Sequence, residues 1–341
     1  MRHLYLRCLK AAIGFGLLTA AFGSVLNAQT STANPYRATF DWERLPEGRT
    51  LGIVSGVIPD PDGVHLWILD RCGGNGCAGT DLDPILKFDL DGNLVDSFGA
   101  GMFAFPHGFA LDRDGFLWVT EGGSHGDARA TLGESMGIGH QVLKLTKQGE
   151  VVMRLGEAAV WGDDENHFNG PSGVAIAANG DIWVSDGHRG GNNRIVKFTR
   201  DGMFVLAVGG GVGSESREPS RFSDAHDIKI DSQDRVLVAD RGNSRIQIFD
   251  QDGGFIEEWN DDVRGPGDFY IKDDVIFMVE QGAPTGVTVF DLDGKIITRW
   301  RGAENGTEAP HGIWADSKGN LFIAEIGQPG HGQRMRKYNK I

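Results

Sequence analysis

Three histidines occupy one place in a recurring pattern: His107 in Pro-His-Gly, His226 in Ala-His-Asp and His311 in Pro-His-Gly. Neutral imidazole is a good zinc ligand, and three of them leave a coordination position open for water or substrate. A metal held in that way polarises an oxygen or lowers the pKa of a bound hydroxyl. Any one of these histidines alone would read as a wall residue making hydrogen bonds. Three at equivalent positions point to a metal site.

The pattern that places them is a repeat. A short apolar strand ending in an acid occurs six times: Leu66–Asp70, Leu117–Glu121, Ile182–Asp186, Val236–Asp240, Ile276–Glu280 and Leu321–Glu325. Successive copies start 51, 65, 54, 40 and 45 residues apart, the spacing of a propeller with variable loops. Each is followed by strand, Asp-Gly-like turn and strand, as in Ile85–Gly99, and Phe88, Leu145, Phe198, Phe249 and Phe290 recur at one position where they would fill the space between blades. Most copies are preceded by a further strand, and the three histidines begin it. The fold class read from this is all-β: a six-bladed β-propeller of four-stranded blades, with the preceding strand innermost. The histidines fall in blades two, four and six, a third of a turn apart, so the ring would aim all three into its channel. The last blade lacks an outer strand, and the segment near Tyr36–Trp42 is predicted to supply it and close the seam.

Composition narrows the setting. Residues 1–28 read as a signal peptide: Arg2, Arg7 and Lys10, an apolar stretch, then Leu26-Asn27-Ala28. Residues 29–35 read as a flexible N-terminus and 36–341 as one propeller. The expected location is secreted or periplasmic, with no membrane span after cleavage. Net charge is −14, and removing three basic residues gives −17. That excludes a nucleic-acid surface, which needs concentrated Lys and Arg. Cys72 and Cys77 are predicted to pair in an oxidising compartment. The loops at 122–141, 157–170 and 210–224 are Gly-rich or polar and are placed over one face. The Asp-X-Asp-Gly stretches, such as Asp89–Gly92, lack the other ligands of a calcium loop and read as hairpin turns.

The repeats resemble NHL repeats. Over roughly residues 51–341 the chain is similar to the peptidyl-α-hydroxyglycine α-amidating lyase domain of peptidylglycine α-amidating monooxygenase, through Val54-Ser55-Gly56-Val57, Phe105-Pro106-His107-Gly108, Asn166-His167-Phe168, Ser185-Asp186-Gly187, Asn193-Arg194-Ile195-Val196 and Ala239-Asp240-Arg241-Gly242-Asn243. The resemblance implies a catalytic zinc on His107, His226 and His311, active-site arginines at Arg71 and Arg241, and a calcium on the backbone carbonyls of Val57 and Phe109. Two departures stand out. Gly312 replaces the aspartate that would complete the calcium site, which weakens it. His188 replaces the tyrosine implied as catalytic base; it reads as a base or substrate contact, a fourth ligand, or a residue with neither role. His125, His140, His167 and His331 read as loop or surface residues. The implied reaction cleaves a C-terminal α-hydroxyglycine to a peptide amide and glyoxylate. The chain has no segment for a copper monooxygenase, so the substrate, a small molecule or peptide C-terminus, would come from a separate hydroxylating enzyme. The alternatives are a non-enzymatic NHL-type binding module and another metal-dependent enzyme acting on a small hydroxylated or carboxylated substrate. A calcium lactonase is disfavoured by the histidines.

Overall fold

The computed structural model describes residues 34–39, 41–123, 128–210, 215–302, 308–327 and 335–341. The signal-peptide reading, residues 29–33, His125 and His331 lie outside them. Among the described residues, twenty-four strands form six antiparallel sheets of four. In five blades the strands follow in chain order, as in blade one with Val54–Pro59, His65–Asp70, Ile85–Asp89 and Leu94–Phe98. The sixth contains Pro310–Ala315, Leu321–Glu325 and Met335–Lys340, and Tyr36–Thr39 pairs with the last of these, Tyr36 opposite Lys340 and Thr39 opposite Lys337. The ring therefore closes with an N-terminal strand, which covers the backbone edge that Met335–Lys340 would otherwise expose. Pro35 is held as well, its carbonyl accepting from the Ile341 N–H. Trp42, buried, then packs on Phe88 of blade one and Phe322 of blade six and locks the seam.

The six blade interfaces carry six apolar clusters. Phe88 lies with Trp314 and Phe322 between blades six and one, Leu145 with Trp67 between one and two, Phe198 with Trp118 between two and three, and Phe249 with Trp183 between three and four. Phe290 and Trp259 occupy the same place between four and five. Burying each of these side chains contributes about 1.5–3 kcal/mol. The recurring aromatic position thus fixes the angle between neighbouring blades.

The strand-end acids are anchors rather than reagents. Each accepts a hydrogen bond from a backbone N–H in the segment that enters its blade: Gly52 on Asp70, Phe105 on Glu121, Asn169 on Asp186, Ser223 on Asp240, Arg264 on Glu280 and Glu308 on Glu325. Five also face an arginine: Arg49, Arg194, Arg245, Arg301 and Arg336. Burial pushes the Glu121 and Glu325 carboxyls up to about 7. This clamp stands directly before each inner strand and so sets where its first residues enter the channel.

Cys72 and Cys77 form a disulfide. Its short loop begins next to Arg71, whose Nη1 donates to Asn75 within it. A loop with a sequence separation of five constrains the unfolded chain by only about 2 kcal/mol. A Cys72→Ser/Cys77→Ser variant should melt roughly 3–6 °C lower and still show the far-ultraviolet spectrum of the native sheet. Loss of that spectrum at 25 °C would show the bridge to be essential to the fold.

Candidate metal centre

The second residue of the inner strand, read around the ring, is Ser55, His107, Ser172, His226, Gly267 and His311. Histidine alternates with a small residue. The strand register shifts at or beside this position in every blade. Such a bulge frees a backbone carbonyl from the ladder. Each histidine uses the carbonyl at the same position in the next blade: His107 Nδ1 to Ser172 at 2.9 Å, His226 Nδ1 to Gly267 at 3.0 Å and His311 Nδ1 to Ser55 at 2.7 Å. A carbonyl only accepts, so Nδ1 carries the proton in all three rings and Nε2 carries the lone pair. The small residues in blades one, three and five are therefore part of the site, because they let each ring reach its neighbour's backbone.

The three rings are mutually 4.9 Å apart, centroid to centroid. All three residues are buried. The Nε2 atoms of His107 and His226 are buried with no hydrogen-bond partner. A buried acceptor without a partner costs about 1–3 kcal/mol, and a metal ion removes that cost at both atoms. Burial holds all three imidazoles well below their usual pKa, with neighbouring histidines and arginines adding to it; His311 is pushed down to about 3. Uncharged, lone pair inward and braced from behind by a carbonyl, the set is suited to a divalent metal.

His188 joins this group by another route. It stands in a single 3₁₀ turn, His188–Gly190 in blade three, with its ring 4.2 Å from His107 and 5.4 Å from His226. Donor atoms of His107, His188 and His226 lie within 4.8 Å of one another. Its tautomer is nevertheless opposite. The Arg241 Nη2 is 3.3 Å from His188 Nδ1, and guanidinium can only donate. Nδ1 then holds the lone pair and Nε2 the proton. Asp224 Oδ1, at 3.6 Å, is too far to reverse this. His188 is thus placed beside the centre both as a metal-capable donor with His107 and His226 and, in this tautomer, as an N–H donor toward substrate.

Arg71 and Arg241 flank the histidines. Arg241 is held by Asp224, through Nε at 2.8 Å and Nη2 at 2.5 Å, and by Gln281 Oε1 at 2.7 Å. Arg71 donates Nε to the Pro106 carbonyl and lies 3.8 Å over the Phe105 ring. Both are therefore pre-positioned, and Arg241 acts partly by orienting His188.

The calcium expected on the Val57 and Phe109 carbonyls gains no carboxylate from position 312, a glycine. Two carboxylates that line the channel cavity, Asp227 and Asp268, both contact the Lys229 ammonium. These three residues were not singled out from sequence, although a signal existed. Gly56, Gly108, Gly173 and Gly312 follow the histidine position in four blades, and Asp227 and Asp268 stand there in the other two. His140 is a loop anchor, its Nε2 at 3.0 Å from Glu134. His167 is too, its carbonyl accepting from Arg194.

Among known proteins, the NHL repeat family matches residues 168–198 and 222–249. A Caenorhabditis elegans protein described as a probable peptidyl-α-hydroxyglycine α-amidating lyase is 39% identical over 158 residues, covering 46% of this chain and 40% of its own length. Human NHL repeat-containing protein 3 is 32% identical over 231 residues, covering 66% of this chain and 60% of its own. The chain thus spans less than two thirds of these relatives. In structure, the virginiamycin B lyase of Staphylococcus aureus superposes with a TM-score of 0.55 at 19% identity, over 85% of this chain and 82% of that one; this likeness is one of fold. With its six closed blades and these sequence relatives, the chain is an NHL-repeat six-bladed β-propeller related to the peptidyl-α-hydroxyglycine α-amidating lyases.

Proposed function

We propose that this protein is an exported zinc-dependent lyase that cleaves a carbinolamide, a C-terminal α-hydroxyglycine, into an amide and glyoxylate. The observation that carries the reading is the ring of three buried imidazoles with inward lone pairs, each braced by the next blade. His107, His226 and His311 would hold the zinc. When bound it supplies a Lewis acid with an open position for substrate oxygen.

The reaction breaks the bond between the amide nitrogen and the hydroxylated carbon. The carbinol oxygen loses its proton and becomes the aldehyde oxygen of glyoxylate, while the departing nitrogen gains a proton. Position 188 was expected to hold a base or substrate contact, a fourth ligand, or a residue with neither role. With Arg241 donating to Nδ1, the neutral ring carries its proton on Nε2; we assign His188 to relay the carbinol proton to the leaving nitrogen, giving up its own proton and taking the carbinol's, so that the ring ends the step neutral as it began. Arg71, fixed on Phe105, supplies positive charge for the substrate carboxylate. The substrate itself comes from whatever enzyme hydroxylates the glycine.

The test is glyoxylate release from an α-hydroxyglycine-terminated peptide by zinc-loaded protein. Release equimolar with amide is expected, and His188→Ala should lower kcat by roughly 10²–10⁴-fold. No release from metal-replete protein would overturn the assignment. If the purified protein also held no transition metal, it would favour a binding module of the NHL type.

A further inference from the structure

A small cavity of about 20 Å³ lies in the channel, bounded by His107, His226 and His311 and by Asp227, Lys229 and Asp268. Three carboxylate oxygens converge on one nitrogen there. Lys229 Nζ lies 2.9 Å and 2.7 Å from the two oxygens of Asp227, and 2.9 Å from Asp268 Oδ1. The carboxylates are in turn wired to neighbouring blades. Asp268, of blade five, accepts from the Ile313 N–H of blade six at 3.1 Å, and Asp227, of blade four, accepts from the Phe269 N–H of blade five at 3.3 Å.

We propose that the Lys229 ammonium is the channel's resident cation, joining blades four, five and six at the axis in place of a bound divalent ion. Without a cation, two carboxylates would face each other beside a water-sized cavity, a costly arrangement. With Lys229 the chain itself places one positive charge between the two carboxylates. In blade six, where Gly312 stands, a third carboxylate would add to a negative charge that one ammonium only partly offsets. The Lys229 contacts also leave neither Asp227 nor Asp268 free for calcium. The three oxygens already surround a point, and shortening each contact by a few tenths of an ångström would reach the 2.3–2.6 Å of a calcium–oxygen bond. Removing the ammonium should therefore convert a self-contained site into a calcium-binding one.

Thermal melting with and without calcium tests this. Wild-type protein, freed of divalent ions other than zinc, should show no shift in Tm on adding 5 mM calcium chloride. Lys229→Met should melt roughly 5–10 °C lower and recover at least half of that loss with calcium, but not with sodium chloride of equal ionic strength. A wild-type Tm that rises by several degrees with calcium would overturn the proposal, as would a Lys229→Met variant as stable as wild type. Should Lys229→Met fail to fold, Asp227→Asn/Lys229→Met removes one of the facing charges and should fold. Calorimetric titration of calcium into wild type decides independently, heat of site binding counting against the proposal. None of these readouts depends on lyase activity.

Discussion

Gly108→Ala should destabilise the protein by about 3 kcal/mol, the upper range for overpacking a tight site, and weaken zinc binding 10–100-fold, as loss of a supporting contact does. A Cβ at this position would lie 2.3 Å from the Ser172 carbonyl oxygen and 2.9 Å from Gly173 Cα. Both are backbone atoms of blade three and cannot rotate away. Thr120 Oγ1, which accepts from the Gly108 N–H at 2.7 Å, would also be 2.9 Å from the added carbon. The inner strand of blade two must therefore retreat from blade three. Retreat lengthens the His107 Nδ1 bond to that same Ser172 carbonyl, so packing and metal site fail together. Gly312, in the matching place of blade six, is the control. Its nearest neighbour would be Gly56 Cα at 3.1 Å, a strain of a few tenths of an ångström. Denaturant unfolding and competition for zinc on both variants measure the effect. Gly108→Ala within 0.5 kcal/mol of wild type would show that the blades can slide apart freely.

That contrast also shows what a sequence makes legible in this fold. The ring could be read because blades are periodic, and periodicity survives variable loops. His107, His226 and His311 could be read because they share one repeat position, and an alternate-blade position becomes convergence once a ring is assumed. The closing strand could be read because one blade lacked a piece. The partners of these residues were harder to see. Ser172, Gly267 and Ser55 act through carbonyl oxygens, and backbone atoms carry no residue-type signal. Lys229 lies outside the repeat position and becomes visible only where blades four and five meet. The tautomer of His188 depends on Arg241, 53 residues away. The resemblance located both residues but could not supply the hydrogen bond that relates them. The strand-end acids were legible as a pattern while their job was not, because clamping an incoming backbone N–H leaves no mark on the residue that donates it.

Zinc affinity should be nearly independent of pH between 7.5 and 5.5, and His226→Ala should lower it by about 3 kcal/mol, on the order of a hundredfold. The second figure follows from dividing the roughly 10–16 kcal/mol of four-ligand structural zinc binding among its ligands. The first follows from burial. An exposed histidine titrates near 6.5, so a site of three would lose about a thousandfold in affinity on reaching pH 5.5 as protons compete for each ring. Here burial first, then neighbouring cationic groups, hold all three imidazoles well below that value, His311 at about 3. They are already neutral at pH 5.5, and zinc displaces no proton. The cost appears in folding instead. Between the folded and unfolded pKa values the unfolded chain binds protons that the folded one does not, so metal-free stability rises with pH from about 3 to 6.5 and falls as acid is added. Zinc dissociation constants at the two pH values, with circular dichroism confirming the fold at each, separate these effects. A change below tenfold is expected. A loss of a hundredfold or more would mean that water reaches the rings and that the next blade's carbonyls do not hold their protons in place.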